Sequence, residues 1–405
     1  MATGTGSFSK IGFAEETVFG VPDASPNFTV MPFTSFNVEY NTTVITTPII
    51  HGDRMQHFAR NGNVTVSGDI GSVLLPEVHD GLLKSLLLAD DWDGDELKTG
   101  LVRTSYTLEK VVGKNDGTFH YYTYNGQVPK ALSISVKPDD VVTATWTFVG
   151  TSAEEVAEES LDADSYDDAG DDVQPFVHLD GTFSEAGVPL GNFTGIDLTI
   201  DNGYEGIPVI GSRYARDVIP RQSTITGVFT ATFEDPTIQS KFISQTHTDL
   251  TLLLSDGAPN PGQPERTLTI FLPNVHLDSY TAPITDDFVI VQTFTFTALY
   301  DSGTGSDIVI TRSAAPVTPA APANTVLPSI TGTPTVGSTL TAVTGTWTGA
   351  PAPTFTYLWK VDGAAPVGVA TNSTFVAEAG DVTVTVTGTN ATGAVNATSA
   401  PTTVT

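Results

Sequence analysis

The sequence predicts a mainly β protein: two tandem β-sandwich or partial-barrel units, each flanked by one α-helix, then a third β-sandwich without a helix. Three observations carry this prediction. Apolar residues alternate with Thr and Ser at period two along most of the chain, the spacing of strands with one buried face. Residues 46–88 and 206–246 present the same signals in the same order, offset by 159–160 positions. Composition then changes near residue 313, beyond which acidic residues become scarce. A chain of 405 residues has room for three such units.

The elements follow in order. Residues 1–35 are punctuated by Gly, Ser and Pro, and Phe8, Ile11, Phe13, Val18 and Phe19 fall at irregular intervals. That pattern predicts an arm laid over a neighbouring surface. Residues 36–47 alternate weakly, as a strand does. A long connection over 48–62 carries His51, Arg54, His57 and Arg60, and Val64–Ile70 is the next strand. Pro76 suits a first helical turn, and the Leu82, Leu83, Leu86, Leu87 stripe predicts an amphipathic helix over 76–89. Strands are expected at 104–112, 119–124 and 141–149.

In the second unit Pro208-Val209-Ile210 and Arg213 answer Pro48-Ile49-Ile50 and Arg54. Thr224–Phe229 answers Val64–Ile70, and its alternation extends to Phe233. Asp235 as N-cap and Pro236 in the first turn start a helix whose buried face is Ile238, Phe242 and Ile243. Further strands of this unit are expected at 193–200, 249–254, 267–272 and 288–299. Thr267–Leu272 answers Ala131–Val136, and Phe294-Thr-Phe296 answers Trp146-Thr-Phe148. The predicted units are therefore 1–151 and 175–312. They are joined by 152–174, a run from Glu154 to Asp172 rich in acids, without Lys or Arg, and expected to stay extended and solvated. A Pro/Ala spacer, 313–328, leads into 329–405. There turn signals recur every 8–12 residues, the pattern of an immunoglobulin-like sandwich, with Trp347 and Trp359 as core aromatics.

The net charge is −29, and all but −2 of it lies before residue 326. So acidic a body repels a phosphate backbone, which argues against sequence-specific nucleic-acid binding. It fits either a solubility charge or a surface that passing DNA must not adhere to. The chain has no cysteine, so disulfides and thiol chemistry are excluded. No apolar run has the length of a membrane span, and the N-terminus lacks the core of a signal peptide. Assembly in the cytoplasm without membrane insertion is expected.

Catalytic signatures are missing: the sequence has no Gly-x4-Gly-Lys, His-Glu-x-x-His or Gly-x-Ser-x-Gly. Asp91–Glu96 departs from an EF-hand loop, because Glu96 stands where glycine is needed and Val102 where the bidentate Glu belongs. Asp139-Asp140 and Asp286-Asp287 read as turns before strands. No enzyme, metal or cofactor is expected. Arg54 and Arg60, with Arg213, Arg216 and Arg221, fall in two matching connections. They are either ordinary solvated loop residues or partners for carboxylates on a neighbouring molecule.

Ile11-Gly-Phe-Ala-Glu-Glu-Thr-Val-Phe-Gly20, then Gly68-Asp-Ile70 and Pro76-Glu-Val-His-Asp-Gly-Leu-Leu83, is similar to tail tube proteins of long-tailed, non-contractile phages (siphophages). Pro328–Leu340, Gly345-Thr-Trp347, Tyr357-Leu-Trp359 and Val386–Gly393 resemble bacterial and phage Ig-like domains. The resemblance implies a virion tail protein that stacks as rings around a DNA channel, without specific DNA binding. Its partners would be other copies of itself and further tail proteins (tape measure, tail tip, terminator). The Ig-like module would project outward and touch host cell-surface glycans or proteins weakly, through many copies. Family members mostly carry one unit and form hexamers. Two units imply a trimer with pseudo-sixfold symmetry, with the five arginines at ring-to-ring contacts. The alternative is a surface adhesin or carbohydrate-binding protein displaying the Ig-like module.

Overall fold

The computed structural model describes residues 3–405 except 25, 51, 157–158, 162–173, 258–264, 285–288, 314–319, 351–352, 365–370 and 391–392. The chain divides into two compact units, Met1–Ala315 and Pro316–Thr405.

The first half of the body contains β1 (Lys10–Glu15), β2 (Glu39–Thr46), β3 (Ala59–Val73), α1 (Asp80–Leu86) and β4 (Glu96–Lys98). It continues with β5 (Tyr106–Gly113), β6 (Phe119–Val136), β7 (Thr143–Gly150) and β8 (Ser152–Val156). The second half contains β9 (Thr182–Glu185), β10 (Phe193–Asp201), β11 (Glu205–Ile207), β12 (Asp217–Ile219), β13 (Thr224–Thr232) and α2 (Thr237–Ser244). Its last strands are β14 (Thr248–Ser255), β15 (Thr267–Thr281), β16 (Val291–Ala298) and β17 (Val309–Arg312). Two-residue strands are left without labels.

These strands form two layers. The front layer is one antiparallel row, β2-β3-β7-β6-β10-β13-β16-β15, and it passes from the first half to the second at β6–β10. The back layer pairs β8, β6, β5 and β1 in the first half, and β17, β15, β14 and β9 in the second. β6 and β15 serve both layers. Their N-terminal parts pair in the back and their C-terminal parts in the front, and register shifts at Pro129/Ala131 and Leu277/Ser279 lie where they cross over. One apolar core runs through both halves and includes Ile70, Leu132, Trp146, Phe229, Phe294 and Phe296.

Two glycines fix the packing of the front layer. Gly68 lies opposite Phe148, and Gly227 lies opposite Phe296. A Cβ on Gly68 would stand 2.1 Å from the Asn37 carbonyl oxygen, and one on Gly227 2.4 Å from the Phe296 ring. Side chains larger than hydrogen are excluded there by contact rather than by backbone angle.

Several elements differ from the sequence reading. The N-terminal segment contains a regular strand: β1 pairs with β5 along its length and buries Ile11 and Phe13 in the chain's own core. The acidic segment begins with β8, paired to β6, and Leu161 N–H and Ser160 Oγ donate to buried Glu109, so hydrogen bonding overrides charge repulsion at that end. The rest of the run, from 162, lies outside the described residues, as do His51, Asp286 and Asp287. Asp139 has φ 60, and Asp140 Oδ1 accepts from Val141 N–H at 2.8 Å, a turn. Ala131–Val136 pairs in the front layer, whereas Thr267–Leu272 pairs with β14 in the back, so these stretches occupy unlike places. On α2, Ile238 and Phe242 pack on the core but Ile243 is 71% exposed.

The C-terminal unit holds β18 (Ala320–Val326), β19 (Ser329–Thr331), β20 (Thr339–Val343), β21 (Thr346–Ala350) and β22 (Thr354–Val361). It ends with β23 (Thr374–Val376), β24 (Gly380–Asn390), β25 (Gly393–Thr398) and β26 (Thr402–Val404). The segment read as a spacer thus supplies a strand, β18, paired with β21. β20 joins β19 and β23, while β24 joins β22, β25 and β26. Trp359 is fully buried against Phe375 and donates Nε1–H to the Asn372 carbonyl at 2.9 Å. Trp347 is half-buried beside Phe355.

The start of α1 carries two titratable groups with opposed acid responses. His79 is buried against the Trp146 ring at 5.5 Å, and desolvation lowers its pKa to about 4. Its neutral form stabilises the fold fully above the unfolded value of about 6.5, and that contribution is lost as pH falls toward 4, by about 3 kcal/mol. Burial raises Asp80 to about 6 despite the attraction of Arg312, so its penalty is present above 6 and is relieved as pH falls toward 4. Urea unfolding at pH 7 and pH 4.5 checks both. Relative to the parent, His79→Gln should lose about 2–3 kcal/mol less on acidification. Asp80→Asn should lose more than the parent over the same interval.

Candidate assembly surfaces

The apolar side of the front layer faces the core, so its other side is open and polar. Glu39, Asp69, Asp197, Asp201 and Asp278 stand there among Thr65, Ser133, Ser135, Thr145, Thr199, Thr226 and Thr295. No lysine or arginine occurs in β2, Thr65–Val73, Ala131–Val136, β7, β10, β13, β16 or Val275–Thr281. Hydroxyls tie the carboxylates across strands. Thr147 donates to Asp69 at 2.7 Å, Ser135 to Asp197, and Thr297 to Asp278 at 2.7 Å. Ser133 bonds Thr199 at 3.0 Å, across the β6–β10 seam. The result is a continuous acidic and hydroxylic wall with its side chains held in place.

Behind that wall, polar contacts fasten the two halves together. Asn202 Nδ2 donates to the Leu86 carbonyl at the end of α1. Arg103 lies over the Phe19 ring at 4.1 Å and donates to Asp217 and the Val218 carbonyl. Arg266 pairs with Glu77 at 3.1 Å, and Arg312 pairs with Asp80 while lying 4.2 Å over Trp92. Sequence reading missed all four, because nothing local marks the partner of a residue roughly a hundred or more positions away. The Lys84–Glu15 and Lys241–Glu185 pairs, each joining a helix to a back-layer strand, were missed for the same reason.

Four of the five predicted arginines sit on two neighbouring protrusions, and Arg221 follows β12. The β2–β3 hairpin and its 47–58 loop expose Val44, Ile45, Ile49, Met55 and Phe58, with Ile50 93% exposed. Arg54 and Arg60 belong to this arm, and both are exposed. The β11–β12 loop lies against its base, where Val64 N–H donates to the Arg213 carbonyl at 2.7 Å. Arg213 also donates to Tyr40 Oη at 3.3 Å, and Arg221 pairs with Glu205 within the chain. Arg54, Arg60 and Arg216 make no side-chain hydrogen bond or ion pair among the described residues. The structure thus brings Arg213 to the base of the arm that carries Arg54 and Arg60, sets Arg221 past β12 beside Glu205, and leaves Arg54, Arg60 and Arg216 uncommitted among the described residues. The exposed apolar residues of the arm lie on the same hairpin and loop as Arg54 and Arg60.

The Ile11–Gly20 motif has a structural centre in Glu16. Its buried carboxylate accepts from Gly20 N–H at 2.8 Å, Ser105 Oγ at 2.7 Å, Thr107 Oγ1 at 2.9 Å and Gly126 N–H at 2.7 Å. The loop after β1 is thereby anchored to β5 and β6.

The model of the phage tail tube protein family matches residues 6–298. The chain belongs to that family. A single match spans both halves of the body and stops before β17 and the C-terminal unit. No curated protein matches the chain. Membership makes it a structural, non-enzymatic component of the virion tail. The open wall, the hairpin arm and the seam between halves are therefore features of a tube subunit. Glu16, inside the matched region, should be required for its folding. Glu16→Ala strands buried donors and should cost about 3–5 kcal/mol, and Glu16→Gln less, by chemical denaturation.

Proposed function

We propose that the body is two equivalent tube units in one chain, and that three chains close into a ring of pseudo-sixfold symmetry whose channel is lined by the open face of the front layer. The observation that carries this reading is the continuous wall without lysine or arginine. DNA bears one charge per ~1.7 Å of duplex axis, so a cationic lining would bind it through counterion release and hinder sliding. With a Debye length of ~8 Å at physiological salt, the sign of the nearest side chains decides, and here it is negative. The two-unit reading is supported by the matched placement of Gly68 and Gly227 against Phe148 and Phe296, and of Lys84 and Lys241 on their acids. Rings of three such chains use both units alike. Tubes of these rings conduct DNA through the tail, with tape measure, tip and terminator proteins as further partners.

The C-terminal unit is read as an Ig-like module carried on the outside of the tube, meeting host surface glycans or proteins by many weak contacts. Its strand count and buried Trp359 support that reading.

Native mass spectrometry of assembled rings should give three chains per ring, and six would overturn the two-unit reading. Ring stacking is assigned to the arginine-bearing loops. Reversing Arg54 and Arg216 together to Glu should shorten or abolish tubes in electron micrographs while leaving single rings intact. Tubes of unchanged length would remove these residues from the stacking contact.

A further inference from the structure

The seam inside the chain has an unfilled counterpart at the chain's own edges. At the seam, Ala131 pairs with Asp201, Leu132 with Ile200, and Val136 with Ile196. Elsewhere both of its strands have analogues. Ile200 faces Ile225 on β13, as Tyr40 faces Val66 on β3. Leu132 faces Trp146 on β7, as Tyr280 faces Phe294 on β16. The Gly68/Phe148 and Gly227/Phe296 pairs set these two alignments in register. Yet the outer edge of β2 and the outer edge of Ser279–Thr281, past the last residue that β14 pairs at Val275, have no strand beside them among the described residues.

Exposure follows the same division. Ile200 is fully buried while Tyr40 is 40% exposed, and Val136 is 5% exposed while Ile284 is 78% exposed. The helices agree: aligned by their Lys84 and Lys241 ion pairs, Leu86 of α1 at 0% corresponds to Ile243 of α2 at 71%. Leu86 lies beneath the seam, where Asn202 reaches its carbonyl. An open edge with main-chain donors and acceptors, beside apolar side chains whose analogues are buried, is half of a strand-pairing interface.

We infer that a second copy of this chain fills it: Phe36–Asn41 of one copy pairs antiparallel with Ser279–Ile284 of the next, and that copy covers Ile243. The register carried over from the seam puts Asn41 opposite Ser279, and Tyr40 opposite Tyr280. This rests on the ring reading and specifies its contact residue by residue.

The chain contains no cysteine, so the register can be read by crosslinking. Directly opposed antiparallel residues have Cβ atoms about 4.5–5.5 Å apart, close enough for a disulfide after small adjustment. Full-length Asn41→Cys/Ser279→Cys protein, assembled and mildly oxidised, should run on non-reducing gels as covalent trimers and no larger closed species. An Asn37→Cys/Ser279→Cys control, four residues out of register, should stay monomeric on the gel. Tubes in micrographs without the first crosslink overturn this register and leave the ring reading standing; failure of the unmodified chain to form rings removes both. As an independent arm, Ile243→Asp alters a side chain exposed in the single chain. Its thermal midpoint as a monomer should be unchanged, while ring formation falls at least tenfold. Undiminished ring formation would overturn the seat at α2.

Discussion

Everything in the body depends on the antiparallel pairing of β6 with β10. It makes one sheet out of strands contributed by both halves, from Ile196–Val136 to Asp201–Ala131. Because that sheet is continuous, the core behind it is continuous too, and Leu132, Ile134, Leu198 and Ile200 are all buried at the seam. The seam also sets the geometry of the polar contacts behind it. Asn202 follows directly on the last paired residue of β10, and its reach to the Leu86 carbonyl is possible only while β10 lies beside β6. A loss of register by one residue would turn Ile200 and Leu198 to the open face and Asp197 and Asp201 into the core. Burying those carboxylates unpaired costs far more than the strand pairing supplies, so the seam has one register.

The open face shows how a wall can be acidic and still well ordered. Isolated surface carboxylates repel one another weakly and sample many rotamers. Here Asp69, Asp197 and Asp278 each accept from a hydroxyl on an adjacent strand, which fixes the charge in position without introducing a cation. Thr serves twice, since its branched side chain favours the strand and its hydroxyl supplies the donor. The abundance of Thr in β7 and β16 fits that arrangement, while in β13 Thr224, Thr230 and Thr232 donate to backbone carbonyls of β10 and the residue before it.

The strands, both helices and most core aromatics were legible in the sequence, because period-two alternation and the Leu82–Leu87 stripe are local consequences of burial. Trp146 and Phe148 could be matched to Phe294 and Phe296 for the same reason, and β3 and β13 place them in the same register. Elements decided at long range were not legible. The N-terminal strand β1 has four successive buried residues and no alternation, because it pairs in the back layer with apolar groups on both sides. Thr267–Leu272 resembles Ala131–Val136 as a string, but β15 crosses between layers after it and β6 crosses before Ala131–Val136. Glu16 looked like one acid among many; only the convergence of donors from three separate segments reveals its place.

On the proposed two-unit reading, the difference between α1 and α2 is the effect of a covalent connection on a repeated interface. Around α1 the contacts are completed inside the chain, and Leu82, Leu83 and Leu86 are buried while ion pairs reach from Arg266 and Arg312. The partner is always present at high effective concentration, so large apolar side chains there carry no risk of exposure. Around α2 none of the residues is fully buried, and the helix is less apolar: Gln239, Ser240 and Ser244 hold places along it. A surface that must remain soluble until a neighbour arrives cannot expose a full leucine stripe without inviting aggregation. A single large apolar residue, Ile243, with open strand edges nearby, meets both demands. On the ring reading proposed above, it lets the free chain stay in solution and keeps each contact weak, so that closure of all edges together stabilises the ring.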